Sequence, residues 1–101
     1  HVRVDDAVLE YLMNLIAETR RSPYLELGVS TRGALSLQRA ARAKALLDRR
    51  DFVIPDDVKA LAVPVLAHRI IVAGGGDGLY RNRDEAERII GELLEKVPVP
   101  I

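Results

Sequence analysis

The sequence contains no cysteine, only two histidines, and no excess of either charge, since fifteen basic residues balance fifteen acidic ones. Without cysteine it can form neither a disulfide framework nor a thiolate metal site, which suits a reducing compartment and leads us to expect a cytoplasmic protein. No apolar stretch approaches the ~20 residues of a membrane helix, and no signal peptide is recognisable. Neutral overall charge argues against a domain whose main role is to bind nucleic acid.

The scarcity of histidine also limits catalysis. His1 is terminal and His68 is isolated, so neither a metal triad nor a nucleophile–base pair can be built. Near a helix end, His68 and Arg69 are better suited to stabilising carbonyls and the helix dipole than to catalysis. Asp56 and Asp57 could be imagined as metal ligands, but favourable charge at a helix N-terminus is the better interpretation. We predict no metal site and no activity for this chain alone.

What the sequence does contain is helical periodicity. About half of the 101 residues are apolar, enough for one domain with a modest core. The spacing predicts amphipathic helices over residues 4–20, 31–47, from 55 to about 66, and 83–97, with Pro64 kinking or dividing the third. The second helix is apolar on several sides, because Leu35, Ala43 and Leu46 lie away from its alanine stripe, which predicts a central position. The fold class is mainly all-α, a four-helix bundle.

Residues 69–80 leave two alternatives open. Residues 69–73 are either the last turn of the third helix or a short strand. The glycine run 74–78 lacks the Lys-Ser/Thr of a P-loop and the spacing of a dinucleotide fingerprint, so a flexible turn is the better interpretation. Leu79 and Tyr80 would then return as the second strand of a small β-hairpin. The last helix would be capped by Asn82, with Glu85 completing a capping box.

An arginine stands where a helix disfavours it. Ser30 is a predicted N-cap and Arg32 follows in the first turn, beside unpaired N–H groups and the positive end of the dipole, at a cost of roughly 0.3–1 kcal/mol. Either its side chain is simply solvated, or Arg32 and the free N–H groups of this turn face one anion together. Further along the helix, Ser36 and Arg39 widen this polar surface.

The segment "LGVSTRGALSLQRAARAKALLDRRDFVIPDDVKALAVPVLAHRI", residues 27–70, resembles the lid domain of MoxR-type AAA+ ATPases. That signature combines a Gly-x-Ser-Pro-Arg-Ala turn, an alanine-rich helix, a Gly-Arg-Asp-Tyr-Val-Thr-Pro-Asp-Asp-Val segment and Val-Leu-x-His-Arg. The helix that ends at Thr19-Arg20 and the "VPVP" at residues 97–100 also fit. The similarity therefore spans the whole chain. We expect this chain to be a piece of a longer ATPase, its C-terminal lid.

The resemblance implies that Arg32 is the sensor-2 arginine, which reaches the terminal phosphate of ATP. From the chemistry of the turn we expect Ser30, Thr31 and Arg39 to bind the nucleotide beside it. ATP and Mg²⁺ would be bound mainly by a separate core domain of the same protein, because the Walker and arginine-finger residues are absent here. It further implies a homo-oligomeric ring, expected to be a hexamer, that acts like a chaperone on client proteins, with partners that carry a von Willebrand factor A domain. Membrane insertion and nucleic-acid binding are not expected.

Several departures from that signature stand out. Thr31 replaces a proline and Gly33 an alanine, Arg49 stands where the family usually has glycine, and Ile54 replaces a capping threonine at a cost of about 1 kcal/mol. Two other classes of function remain open. One is a helical nucleic-acid-binding module, which would use Arg32, Arg39, Arg42, Arg49 and Arg50. The other is a structural adaptor without a ligand.

Overall fold

A computed structural model of the protein describes residues 2–73 and 79–100, apart from the side chains of residues 26 and 79–82. Four helices form most of this described chain, which confirms the mainly α-helical fold. The elements follow in the order α1 (Asp6–Arg21), β1 (Leu25–Leu27), α2 (Thr31–Leu47), α3 (Pro55–Leu66), a 3₁₀ turn (Ala67–Arg69), β2 (Ile71–Val72) and α4 (Leu79–Lys96).

The core is built from one apolar stripe of each helix. The predicted stripes are confirmed in α1 and α4, where residues three and four apart in sequence are buried together. Each fully buried aliphatic side chain contributes about 1.5–3 kcal/mol to folding. The buried positions are Val8, Tyr11, Leu12, Leu15 and Ile16 in α1; Ala34, Leu37, Ala41 and Ala45 in α2; Val58, Ala62 and Leu66 in α3; and Ala86, Ile89, Ile90 and Leu93 in α4.

Helix α2 is less central than predicted. Its alanine stripe is buried and the helix packs mainly against α3, where small side chains permit close approach. Its second apolar side faces outward: Leu35 is 48% exposed, Leu46 is 65% exposed, and Ala43 is exposed as well. The prediction was wrong because apolar periodicity shows which residues could be covered, and not whether a neighbouring element covers them.

The end of α2 shows why the lid signature has a glycine where this chain has Arg49. The Arg50 N–H donates to the Ala45 carbonyl at 2.9 Å and the Arg49 N–H to the Leu46 carbonyl at 3.0 Å, which is the Schellman arrangement of a helix C-terminus. Arg49 occupies its left-handed position with φ of 61°. Glycine is preferred there because it has no Cβ to collide with the backbone.

Helix α3 begins at Pro55, as predicted, and runs without division through Pro64. Pro64 therefore does not divide the helix, and a kink there, the other predicted effect, stays a prediction. Proline removes one hydrogen bond to the carbonyl four residues earlier, and Pro64 lies only two residues before Leu66, where α3 ends. The helix passes directly into the 3₁₀ turn that carries His68 and Arg69.

The predicted β-hairpin is wrong. Residues 71–72 do form a strand, but β2 pairs antiparallel with β1, with Leu25 opposite Val72, and the Ala73 N–H donates to the Tyr24 carbonyl at 2.9 Å. Leu79 and Tyr80 belong to α4, whose start before residue 82 also overturns the predicted capping box. The predicted glycine turn, residues 74–78, lies outside the described residues. A strand this short takes its partner from tertiary packing, which local spacing does not reveal.

Candidate functional site at the start of the second helix

The start of α2 has the predicted cap. Ser30 adopts an extended conformation, its Oγ accepts a hydrogen bond from the Gly33 N–H at 3.3 Å, and its carbonyl accepts from the Ala34 N–H at 3.0 Å. The N–H groups of Thr31 and Arg32 have no carbonyl one helical turn earlier to bind within the helix. The first turn contains no acidic residue. Partial positive charge is therefore concentrated at this end of α2.

Arg32 is the second residue of α2 and its side chain is exposed. Among the side chains that the structure describes, no carboxylate forms an ion pair with its guanidinium. The neighbouring candidates Ser30, Thr31 and Arg39 are exposed too, whereas Ser36 is half-buried. The structure thus places the four predicted site residues on accessible positions of one helix, with Arg39 two turns beyond Arg32.

The glycine that follows Arg32 also has a steric role. A Cβ at Gly33 would lie 2.6 Å from Cγ1 of the buried Val29 and 3.4 Å from Cδ of Arg69. The signature alanine would therefore require Val29 to move, which accounts for glycine here. The short distance to Arg69 Cδ shows that the Arg69 side chain lies beside the first turn of α2, which sequence spacing did not indicate. The buried Arg69 Nε makes no hydrogen bond to the part of the chain that is described.

The loop in front of α2 lies against the end of α1. Thr19 and Arg20, the last-turn residues of α1, bind the backbone of Val29 from two sides. In the sequence these two residues stand out only as part of a family signature. Nothing in the local sequence indicates this contact, because nine or ten positions separate the partners along the chain.

At the start of α3 the charges are paired within the domain. The carboxylate of Asp57 is fully buried, and Arg50 binds both of its oxygens at 2.7 Å. The Lys44 ammonium donates to it at 3.1 Å and the Ile54 N–H at 2.9 Å. Asp57 thus supplies the N3 half of a capping box, and its own N–H, which a threonine hydroxyl at position 54 would accept, donates instead to the Ile54 carbonyl at 3.0 Å. The helix-terminus role predicted for Asp57 is confirmed, and its partners were not foreseen.

These contacts shift the pKa values of four side chains, which we call the α3 cluster: Lys44, Asp48, Arg50 and Asp57. Burial alone would raise the pKa of Asp57, but hydrogen bonds from Arg50, Ile54 and Lys44 outweigh it and lower that pKa to about 2. The hydrogen bond from Arg50 to Asp57 in turn raises the pKa of Arg50. Hydrogen bonds to Asp48 and Asp57 raise the pKa of Lys44, and the bond from Lys44 lowers that of Asp48. Asp57 is therefore ionised at neutral pH.

The cluster also weakens the nucleic-acid hypothesis. That hypothesis needed five arginines on an open surface, but Arg50 is bound to Asp57 and Asp48. Arg42 is partly buried, with its Nε inaccessible. Only Arg32, Arg39 and Arg49 of the five are exposed. A surface with fewer open arginines neutralises fewer phosphates, which lowers the salt-dependent affinity for nucleic acid.

With the geometry established, comparison with known proteins identifies the domain. The family model described as the AAA lid domain matches residues 17–90, which include the end of α1, the Ser30–Arg32 turn and most of α4. The chain belongs to the AAA lid domain family. This lid domain is 41% identical over 103 residues to the uncharacterized protein YeaC of Bacillus subtilis, a match that covers all of the chain and 31% of YeaC.

The lid domain also matches proteins named MoxR. It is 44% identical over 75 residues to Protein MoxR of Paracoccus denitrificans, covering 72% of the chain and 21% of that protein. It is 31% identical over 106 residues to Chaperone MoxR1 of Mycobacterium tuberculosis, covering 96% of the chain and 27% of that protein. The resemblance to MoxR-type AAA+ lids is confirmed.

A solved structure agrees with this assignment. A chain from Cytophaga hutchinsonii described as a candidate ATPase superposes with a TM-score of 0.81 and 31% identity, over 99% of this lid domain and 32% of that chain. The lid domain thus spans about a third or less of the curated relatives and the solved chain that it matches. Among the described residues, no helix is both long and apolar enough to cross a membrane.

Proposed function

We propose that this lid domain senses ATP held by the nucleotide-binding core of its full-length protein, with Arg32 as the sensor. The observation that carries the proposal is an exposed arginine in the first turn of α2, where the dipole disfavours it and no described carboxylate pairs with it. A helix N-terminus together with a guanidinium fits the charge and geometry of a terminal phosphate. The position of Arg32 in the lid signature supports the same role.

The contribution of each residue follows from its chemistry. Arg32 would donate hydrogen bonds to the γ-phosphate and stabilise the charge that develops during phosphoryl transfer. The free N–H groups of Thr31 and Arg32 and the hydroxyls of Ser30 and Thr31 would supply further donors, and Arg39 would extend the positive surface along α2. Mg²⁺ would be held by the core, which contributes the remaining phosphate ligands.

ATP hydrolysis would then cause the lid to move. When the γ-phosphate leaves, Arg32 loses its partner and the lid is released as a rigid body. In a homo-oligomeric ring, which we expect to be a hexamer, that motion would be passed to neighbouring subunits and on to client proteins as chaperone-like remodelling. A protein that carries a von Willebrand factor A domain is the proposed partner, and the cytoplasm is the proposed compartment.

The test is Arg32→Ala in the full-length protein. Steady-state ATP hydrolysis should fall by about 10²–10³-fold, the effect of losing one preorganised transition-state donor. Arg88→Ala is the matched control, because Arg88 is an exposed arginine of α4 whose partners Glu85 and Glu92 lie in its own helix. Hydrolysis by that variant should be unchanged. A normal rate for Arg32→Ala would exclude the sensor role and favour a structural adaptor.

A further inference from the structure

The backbone that leads into α2 is fixed at both polar groups of one residue. The Val29 N–H donates to Oγ1 of Thr19 at 3.0 Å, and the Val29 carbonyl accepts from Nε of Arg20 at 2.9 Å. Thr19 is 1% exposed, and its hydroxyl donates in turn to the Ile16 carbonyl at 2.6 Å. A threonine hydroxyl has one donor, so this orientation commits it to Ile16 and leaves its oxygen to accept from Val29.

Gly28 brings the same loop into contact with α1. A Cβ at this position would lie 2.7 Å from the carbonyl carbon and oxygen of Thr19 and 2.8 Å from Cα of Arg20. These are backbone atoms, which cannot rotate aside as a side chain would. The loop and the last turn of α1 therefore approach as closely as they do only because residue 28 has no side chain.

These contacts determine where α2 begins. Val29 is itself buried, it precedes the N-cap Ser30, and Arg32 follows three residues after Val29. Since both backbone groups of Val29 are bound to α1, the first turn of α2 cannot shift or rotate without breaking them. The direction in which Arg32 leaves this turn is therefore fixed by contacts with α1 as well as by α2 itself.

We infer that Thr19, Arg20 and Gly28 are positioning residues for Arg32, which hold the start of α2 in register with the bound nucleotide. This inference rests on the sensor role proposed above. A phosphate-binding arginine must be placed accurately, because a displacement of about 1 Å caused by a distant mutation can lower a rate by about 10²-fold. The α1 contacts supply that accuracy from outside the helix that carries the arginine.

The principal test replaces Thr19 in the full-length protein and measures kcat for ATP hydrolysis. Thr19→Val keeps the shape but removes the acceptor of Val29, and should lower kcat by about tenfold to a hundredfold. Thr19→Ser retains the hydroxyl and should restore most of the rate. Val29 should also lose protection from hydrogen exchange in the valine variant but not in the serine variant.

The same replacement in an Arg32→Ala background separates positioning from general stability. If Thr19 acts through Arg32, then Thr19→Val should have almost no further effect on kcat once Arg32 is absent. A purely structural role would instead lower kcat by the same factor in both backgrounds. That result, or an unchanged rate for Thr19→Val alone, would overturn the positioning role. A normal rate for Arg32→Ala alone would identify failure of the sensor proposal itself.

A second pair of variants uses adjacent arginines at the end of α1. Arg20→Gln removes the bond to the Val29 carbonyl and should lower kcat, by less than Thr19→Val because the Val29 N–H bond remains. Arg21→Gln is its matched control, since Arg21 is exposed and its guanidinium hydrogen-bonds only to Glu18 among the described residues. Equal rates for the two glutamine variants would remove Arg20 from the positioning set.

Discussion

The starts of α2 and α3 use charge in opposite ways. At the start of α3, Asp57 has the sign that the helix dipole favours, is fully buried, and is bound by Arg50, Lys44 and the Ile54 N–H. At the start of α2, Arg32 has the disfavoured sign, is exposed, and has no carboxylate partner among the described residues. One start is closed by partners within the domain and the other is open to partners outside it.

The difference separates a structural site from a candidate binding site. The α3 cluster fixes the connection between α2 and α3, since Lys44 lies in α2, Arg50 in the connection and Asp57 in α3. Its polar atoms are satisfied internally, so it has little affinity left for a ligand. The start of α2 keeps its charge and its N–H groups available, at a cost to the isolated domain. Three measurements would break or sharpen this contrast.

The largest effect on stability is expected from removing a partner of Asp57 at the start of α3. Arg50→Ala removes the bidentate partner of a fully buried carboxylate, and should lower the free energy of unfolding of the domain by about 3 kcal/mol. Chemical denaturation of the 101-residue domain would measure this loss. Arg49→Ala, at the adjacent exposed arginine, should change it by less than about 0.5 kcal/mol. Equal effects of the two variants would mean that the α3 cluster does not stabilise the fold.

Acid should produce the next largest effect. The folded pKa of Asp57 is about 2, against 3.8 for the ordinary carboxyl, and a depressed pKa stabilises the fold only while the group is ionised. This contribution, about 2 kcal/mol, is complete above pH ~4 and is lost as the pH falls through ~2. The cationic partners Arg50 and Lys44 keep their charge throughout.

Unfolding free energies measured between pH 5 and pH 2 would reveal this dependence. Asp57→Asn carries no titratable group at this position, so its stability should fall less over the same interval. A wild-type curve parallel to that of Asp57→Asn would show that Asp57 has an ordinary pKa.

The smallest effect is an increase in the free energy of unfolding, and it is expected at the start of α2. Replacing Arg32 with alanine should raise the free energy of unfolding by about 0.3–1 kcal/mol at low salt, and Arg32→Glu should raise it further, because each step improves the charge at the positive end of α2. Arg39→Ala is the control. It removes the same charge two turns later, where the dipole effect has faded, so the free energy of unfolding should rise less than in Arg32→Ala. A loss of stability in Arg32→Ala would mean that Arg32 already has a partner within the domain.

Much of the local structure could be predicted from the sequence. The limits of α2, the Ser30 cap and the start of α3 at Pro55 all agree with the structure. These features depend on residues a few positions apart, where capping, proline geometry and helical spacing act directly. The predictions that failed were those that needed a distant partner: the strand that pairs with residues 71–72, and the outward side of α2.

Two apparent irregularities in the lid signature became intelligible only in three dimensions. Gly33 replaces alanine because Val29 occupies the space of a Cβ, and Ile54 can replace threonine because the Asp57 N–H donates to the Ile54 carbonyl. Arg49 differs from these, since its positive φ shows why the family favours glycine there and nothing in the structure explains the arginine. None of these contacts can be deduced from residue types alone.

The sequence by itself determined the four helices, the family signature and the placement of an arginine in the first turn of α2, because periodicity, capping and motif spacing are short-range properties of the chain. Only the tertiary structure decided which cations remain open and which are paired, and which residues hold the start of α2. These outcomes depend on contacts between different elements, which residue spacing within one element does not reveal: Arg50 binds Asp57 of α3 from the preceding connection, and Thr19 of α1 binds Val29 in the loop before α2.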